Sequence, residues 1–239
     1  MDDTLASLVD HLIALSAPTE GGSWRLPPER KLVDELDISR GTLREQLAML
    51  EYLGVLRRRQ GHGTYIEAPD ASLFQTSFTL MHRLGYLSTS QFAQAREMME
   101  ESIAAAAALL VTDDDLDELR AIVDRMVART QAGDPEGALN ADLDFHNYLY
   151  ETVDNPVFNM MNEGLSTVLR ENIRTRRSLA TELENPTGEG TINTDTIHYG
   201  IVDALASRDP EAARRAMHQH FVDFSLLSLN AKLETGGNQ

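Results

Sequence analysis

Four side chains in the second half of the chain have the types and spacing of a metal site. Asp142 and His146 are four residues apart in ADLDFHNYL, so on a helix they share one face. His198 and His220 follow on two later segments. Three imidazoles and one carboxylate suit Zn²⁺ or Ni²⁺, with Mn²⁺ or Fe²⁺ as alternatives, and leave one coordination position open.

Spacing alone does not separate this metal site from a simpler interpretation. A lone histidine on a helix is more often a surface or hydrogen-bonded residue than a ligand. His218 and His220 are two residues apart and cannot both face inward on a helix, and spacing does not say which one does. Both interpretations therefore stay open on the residues alone.

A second group of candidate residues lies near the N-terminus. Arg40 and Arg44 are four residues apart, on a helical face distinct from the apolar stripe of Leu43, Leu47 and Leu50. Two arginines at the start of a helix can contact guanine bases or phosphates if that helix enters a DNA groove. The alternative is a pair of solvated surface charges.

The elements that must position these arginines follow a recognisable order. Helices are predicted over 4–15 and 28–36, and a third begins after Ser39, a good N-cap, and ends at Gly54. Two short strands around the turn QGHG then form a hairpin. Helix, helix, turn, helix and hairpin is the order of a winged helix-turn-helix over residues 1–68.

The rest of the chain is predicted to be an all-α, antiparallel helical bundle, so the fold class is mainly α. A linker at 69–72 precedes a helical effector domain over 73–233, and 234–239 is predicted to be a disordered tail. Turn residues, Asn185–Gly188 among them, separate seven helices. These helices are predicted over 73–84, 89–111, 113–132, 135–152, 156–182, 194–207 and 209–231.

Composition narrows the classes of function. The 239 residues carry a net charge of −17, but residues 1–68 hold 8 basic and 11 acidic residues, so most of the negative charge lies outside them. That asymmetry is compatible with a DNA-binding module on an acidic body. The chain has no cysteine, which excludes disulfides and thiolate chemistry. Without a secretory signal or a long apolar run, we expect a cytoplasmic protein with no membrane partner.

The N-terminal segment resembles a known family of regulators. LPPERKLVDELDISRGTLREQLAMLEYLGVL, followed by RRRQGHGTYI, is similar to the signature of the GntR family of bacterial regulators. The resemblance implies that this module binds DNA and that Gly61 lies at the tip of the wing. It makes DNA-binding candidates of Arg30, Ser39, Arg40, Arg44 and Gly61.

The C-terminal segments resemble the FCD domain, the all-helical effector domain of the branch named for the fatty-acid regulator FadR. The resemblance rests on DLDFHNYLYETVDNPV and HYGIVDALASRDPEAARRAMHQHF. In the metal-binding members of that branch, the matching positions hold a divalent metal, and His218 stays outside the site. The implied ligands are Asp142, His146, His198 and His220.

The same resemblance implies an effector site. In such members an effector carboxylate completes the metal coordination and a nearby arginine balances its charge, which here points to Arg96. Arg170 and Arg174 are weaker candidates for this effector-binding arginine, because they are more simply explained as solvated charges on a long helix.

These observations predict a metabolite-responsive repressor that binds a palindromic operator as a homodimer. The predicted effector is a small carboxylate or sugar acid bound at the metal. The alternative is a metal-sensing repressor, in which the metal itself is the effector. An enzyme with Glu100 as general base is a third hypothesis, and the attached DNA-binding module argues against it.

Overall fold

The computed structural model describes the backbone of residues 2–184 and 190–236 and the side chains of 5–184 and 190–223. The chain divides into two compact units, Met1–Thr76 and Ser77–Gln239. The division lies inside a helix that begins at Ser72, so it falls after the linker predicted at 69–72. The turn predicted at Asn185–Gly188 and the tail residues 237–239 lie outside the described residues.

The first unit is a winged helix-turn-helix, as the sequence predicts. Ser39 is the N-cap of its third helix, where its hydroxyl accepts a hydrogen bond from the backbone N–H of Thr42 at 3.0 Å. Gly54, with φ of +75°, ends that helix, since glycine adopts this conformation without a steric penalty. The elements are α1 (Asp2–Leu15), β1 (Ala17–Pro18), β2 (Trp24–Arg25), α2 (Glu29–Leu36), α3 (Arg40–Tyr52), β3 (Leu56–Arg59) and β4 (Gly63–Ile66).

The wing is larger than the sequence predicts. The expected hairpin of β3 and β4 is present, with Leu56 opposite Ile66 and Arg59 opposite Gly63. However, β2 also pairs with β4, and β1 pairs with β2, to give an antiparallel sheet in the order β1-β2-β4-β3. Strands of two residues are too short to show an alternating pattern, so the sequence marks this region only as a connection.

A leucine-rich core fixes the position of α3 in this unit. Leu43, Leu47 and Leu50 of α3 are buried with Leu12 of α1 and Leu32 of α2. Because this stripe faces inward, the opposite face of α3 is exposed to solvent.

In the described part of the chain, the second unit contains six helices and most of a seventh, α4 (Ser72–Arg83), which begins before the division at Ser77. All seven lie at nearly the predicted positions. The largest differences lie at two helix ends. The helix predicted over 89–111 ends at Ala107, and the helix predicted over 209–231 continues to Gly236. The helices are α4 (Ser72–Arg83), α5 (Thr89–Ala107), α6 (Asp113–Gln131), α7 (Pro135–Val153), α8 (Pro156–Glu184), α9 (Asn193–Ala206) and α10 (Pro210–Gly236).

Helix α7 is the most deeply packed helix of this unit. It contacts α5, α6 and α8, while α9 packs against α6 and α10, and α10 against α5. Phe145 and Leu149 of α7 join one apolar core, and Leu139 and Leu143 join another formed with α5 and α8. Polar residues buried between these cores need partners of their own. Over the described residues, every helix is too short or too polar to cross a membrane.

Replacing Ser39 with alanine is expected to destabilise the first unit by about 1 kcal/mol, because the Thr42 N–H loses its cap. Denaturant unfolding followed by circular dichroism measures this change. Ser39→Thr, which keeps a hydroxyl, is the matched control and should lie close to the parent. Equal stability of Ser39→Ala and the parent would contradict a capping role.

Candidate metal centre and nucleic-acid interface

The solvent-facing side of α3 carries the predicted DNA-binding residues. Ser39, Arg40 and Arg44 are all exposed, on the side away from the buried leucines. Arg30 of α2 is exposed as well. The structure therefore leaves these side chains accessible to a partner, as a groove-binding helix requires.

Ion pairs distinguish these arginines from one another. Arg44 donates from Nε to Glu29 at 2.9 Å, which joins α3 to α2. The wing arginines pair with acidic groups of the same unit, for example Arg58 with Glu51 at 3.1 Å. By contrast, Arg30 and Arg40 make no ion pair with any residue that the structure describes. Arg40 is thus the cation of α3 whose charge is not already balanced.

The wing tip can approach a flat or grooved partner closely. Gly61 is exposed with φ of +75°, in the turn between β3 and β4. An added Cβ at Gly61 would meet nothing within 4 Å, so glycine is required there by the backbone conformation rather than by space.

The four predicted metal ligands come together in the second unit. Asp142 and His146 lie on adjacent turns of α7, His198 lies on α9 and His220 on α10, and all four are buried. The imidazole centroids of His198 and His220 are 4.5 Å apart, and His146 lies 5.2 Å from His220 and 5.5 Å from His198. Each of these histidines offers a nitrogen within 4.8 Å of the others.

A hydrogen bond orients the imidazole of His198, and a carboxylate lies close to the imidazole of His146. His198 donates Nδ1–H to the backbone carbonyl of Asp195 at 3.0 Å, which leaves Nε2 with a lone pair. That Nε2 lies 3.5 Å from Oδ1 of Asp142. His146 places Nδ1 2.5 Å from Oε2 of Glu100. Partners of this kind on the outer nitrogen orient the histidine ligands of metal sites.

Two of these buried nitrogens lack a partner. Nε2 of His146 and Nε2 of His198 are sealed from solvent and make no hydrogen bond with the described residues. Leaving a buried polar atom unsatisfied costs roughly 1–3 kcal/mol. Lone pairs that converge on one point, with a carboxylate beside them, fit a divalent cation.

Arg177 of α8 is a buried residue of the site that the sequence analysis missed. It donates from Nη1 to Asp142 at 3.1 Å and from Nη2 to Asp195 at 2.5 Å. The other oxygen of Asp195 accepts a hydrogen bond from the hydroxyl of Thr130 on α6 at 2.5 Å. Arg177 therefore fixes both the ligand carboxylate and the residue that orients His198.

The signal for Arg177 was present in the sequence. Arg170 and Arg174, which the sequence analysis considered for the cavity, instead pair with Glu136 near the surface. Arg177 continues the buried stripe of Leu169 and Ile173, one turn further along α8. An arginine at an apolar position of an amphipathic helix indicates a buried charge with a partner.

Arg96 and Glu100 form a second buried ion pair on α5. Nε of Arg96 lies 2.5 Å from Oε1 of Glu100, whose other oxygen faces His146. Arg96 is therefore close to the cluster, as the family resemblance implies. Glu100, considered above as a general base, lies against a histidine and an arginine instead.

The electrostatics favour neutral imidazoles. Burial lowers the pKa of His146 and of His220 well below 6.5, and burial also lowers the pKa of His198. Burial opposes ionisation of Asp142, but Arg177 and the nearby histidines outweigh it and hold its pKa below the usual value. Neutral imidazoles and an ionised carboxylate are the protonation states that bind a metal.

His218 lies outside this cluster. It is exposed, and its Nδ1 lies 2.8 Å from a carboxylate oxygen of Glu101. The structure thus places His220, rather than His218, beside His146 and His198.

The fold and the two sites define a DNA-binding regulator with a separate helical sensor domain. Comparison with known proteins identifies the family of this regulator. The model for the bacterial regulatory proteins of the gntR family matches residues 11–66, and the FCD domain model matches residues 91–223. The chain therefore belongs to the GntR family of transcriptional regulators, in the branch with an FCD domain, and its relatives are named as regulators rather than enzymes.

Similar proteins share most of the chain. YcbG of Bacillus subtilis, an uncharacterized HTH-type transcriptional regulator, is 30% identical over 82% of this chain and 77% of its own length. The Uxu operon transcriptional regulator of Escherichia coli is 27% identical over 82% of this chain and 75% of its own. A solved GntR structure from Streptococcus agalactiae has a TM-score of 0.60 and 27% identity, covering 93% and 98% of the two chains.

Removing Arg40 or Arg44 is expected to weaken specific DNA binding by roughly 1–3 kcal/mol, because each is an exposed cation at the start of α3. Fluorescence anisotropy measures the affinity of Arg40→Ala and Arg44→Ala for duplexes selected from a random library by the parent protein. Arg120→Ala, an exposed arginine of the second unit paired with Asp203, is the control. Unchanged affinity in both variants would remove this face of α3 from the interface.

His198→Ala is expected to lose bound metal, because it removes the nitrogen that faces Asp142. Elemental analysis of purified protein, with circular dichroism to check folding, measures the metal content per chain. His62→Ala, which removes an exposed imidazole of the wing that belongs to no candidate metal group, is the matched control and should bind as much metal as the parent. Equal metal content in His198→Ala and the parent would exclude His198 as a ligand.

Proposed function

We propose that this regulator is a repressor that binds a palindromic operator as a homodimer and responds to a small carboxylate effector bound at a divalent metal. The proposed ligands are Asp142, His146, His198 and His220, with Zn²⁺ or Ni²⁺ as the preferred ion. The observation that carries the proposal is the convergence of three buried imidazoles, each with a nitrogen within 4.8 Å of the others. Nε2 of His146 and Nε2 of His198 make no hydrogen bond with the described residues.

The charges of the site favour an acidic effector. Counted formally, the carboxylates of Asp142, Asp195 and Glu100 beside Arg96 and Arg177 give the cluster one net negative charge, and burial raises the pKa of Glu100. A bound divalent cation would change this to one net positive charge and supply a Lewis-acidic position for an oxygen ligand. One carboxylate restores neutrality in a site where uncompensated charge is costly.

The residues of the chain have distinct roles in this proposal. Arg177 holds Asp142, and the Asp195 carbonyl and the Glu100 carboxylate orient His198 and His146. Arg96 lies next to Glu100, where its guanidinium can bind the second oxygen of an effector carboxylate. Among the relatives, one is named as a putative L-lactate dehydrogenase operon regulatory protein, which is consistent with a hydroxy-acid effector.

Regulation requires that the effector bind more tightly to one state of the protein than to the other. If the effector weakens operator binding by some factor, operator DNA must weaken effector binding by the same factor. The two-fold symmetry of a homodimer matches a palindromic operator, because each winged module reads one half-site.

A metal-sensing repressor is the second candidate. The observation that favours it is the ion pair between Asp142 and Arg177, because a ligand carboxylate shared with an arginine can report on metal binding. If the metal is the effector, removal of the metal alone changes the affinity for operator DNA. If a carboxylate is the effector, a change in operator affinity requires the acid as well as the metal.

A thermal-shift screen of hydroxy, keto and sugar acids tests the proposal. The protein is dialysed against chelator and measured with and without added Zn²⁺. We expect at least one acid to raise the melting temperature only when Zn²⁺ is present, because the carboxylate needs the metal. His198→Ala should lose this response, and His218→Ala should keep it. Stabilisation that is equal without metal, or absent for every acid, would contradict a metal-anchored carboxylate.

A further inference from the structure

The face of α7 that carries two of the proposed metal ligands continues with a tyrosine. Tyr150 follows Asp142 and His146 at intervals of four residues, so the three side chains lie on one face in successive turns of the helix. All three are buried, and Tyr150 is only 1% exposed. Because helical side chains are directed towards the N-terminus of their helix, a tyrosine at this position extends towards the turn of His146.

The ring of Tyr150 lies in an apolar environment, whereas its hydroxyl is unsatisfied. The ring belongs to the same core as Ile103 of α5 and Met217 and Phe221 of α10. The hydroxyl oxygen is sealed from solvent and makes no hydrogen bond with the residues that the structure describes. A buried tyrosine hydroxyl normally has a partner, because an unsatisfied polar group lowers stability. Phenylalanine would fill the same apolar site, so packing does not explain the oxygen.

The charged pair that borders His146 also acts on this hydroxyl. Burial and the carboxylate of Glu100 raise the pKa of Tyr150, and the guanidinium of Arg96 opposes them only in part. The phenol therefore stays protonated and can donate a hydrogen bond. Oε2 of Glu100 lies 2.5 Å from Nδ1 of His146, and Arg96 is bonded to the other oxygen of Glu100. Tyr150 is thus linked to the metal centre through the groups that adjoin a proposed ligand.

Other tyrosines of this unit show how a hydroxyl is satisfied within the chain. Tyr148 donates to Asp115 at 2.8 Å, and Tyr199 donates to Asp124 at 2.5 Å. Both acceptors are carboxylates on α6. In the part of the chain that the structure describes, Tyr150 has no such acceptor. A carboxylate supplied by a ligand would give it the same kind of partner.

We propose that Tyr150 is a further effector-binding residue, whose hydroxyl donates a hydrogen bond to the effector carboxylate at the metal centre. The carboxylate then meets two donors from the chain, the guanidinium of Arg96 and the hydroxyl of Tyr150. Both favour a carboxylate over a neutral oxygen ligand, because hydrogen bonds to a charged acceptor are stronger. This inference rests on the proposed function, because the metal is what brings the carboxylate to this site.

Titration of the full-length, Co²⁺-loaded protein with acetate, lactate and gluconate tests the inference. Co²⁺ binds to nitrogen and oxygen ligands as Zn²⁺ does, and its visible absorption changes when a carboxylate joins its coordination. Tyr150→Phe, which removes only the hydroxyl oxygen, should weaken each acid that binds the parent about tenfold, because one charge-assisted hydrogen bond is lost. The affinity for Co²⁺ alone should stay within about twofold of the parent, since Tyr150 is not a proposed ligand.

Tyr148→Phe is the matched control, because it removes the same oxygen from a tyrosine two residues earlier on α7. It should bind the acids like the parent, since the Tyr148 hydroxyl is bonded to Asp115. Denaturant unfolding of the metal-free proteins, followed by circular dichroism, gives a second measurement that does not depend on the acids. Tyr148→Phe should be less stable than the parent, whereas Tyr150→Phe should be equally stable or more stable, because its oxygen makes no hydrogen bond in the described chain.

The outcomes separate this inference from the proposed function. If Tyr150→Phe binds the acids as tightly as the parent, the role of Tyr150 is overturned and the proposed function stands. If metal-free Tyr150→Phe is destabilised as much as Tyr148→Phe, the hydroxyl serves the fold, and this inference again fails alone. If none of the three acids changes the Co²⁺ absorption of the parent, no carboxylate reaches the metal, and the proposed function fails together with this inference.

Discussion

The arrangement of the sensor domain depends on the buried ion pairs of one side chain, Arg177. A guanidinium sealed among helices must be paired, and here it joins Asp142 of α7 to Asp195 of α9. The hydroxyl of Thr130 on α6 donates a hydrogen bond to the carboxylate of Asp195, and the backbone carbonyl of Asp195 accepts a hydrogen bond from the ring of His198. Four helices thus share one polar network. Loss of Arg177 would leave two buried carboxylates without their shared cation, so the network favours a single packing of the bundle.

The sequence predicts most of the architecture because its strongest signals are local. Ser39 and Gly54 mark the ends of α3, and the spacing of Asp142 and His146 places both on one face of α7. The parts that it does not predict depend on contacts between distant segments. Strands β1 and β2 exist only by pairing with the wing, and the choice of His220 over His218 depends on how α10 packs against α5. The role of Arg177 likewise follows from a partner on another helix.

Four of the eight cations of the DNA-binding unit are paired with acidic groups of the same unit. The wing arginines are held by Glu51, Glu67 and Asp70, and Arg44 is held by Glu29. Such pairs reduce the general attraction to phosphates that a free basic surface has, and they hold each side chain in a defined place. An acidic chain in which half of the cations of the DNA-binding unit are already paired is suited to recognising particular sites rather than binding DNA in general.

The positions of the four proposed metal ligands along the chain have a consequence for biosynthesis. No stretch shorter than Asp142 to His220 contains all four, and the last of them lies on the final helix. While the chain is still being translated, the first two candidates leave the ribosome well before the third and fourth. The complete centre therefore cannot form on a polypeptide that ends before His220. Metal loading at all four positions would then mark a chain that has been translated into α10, and a product that ends before His220 would lack at least one of the proposed ligands.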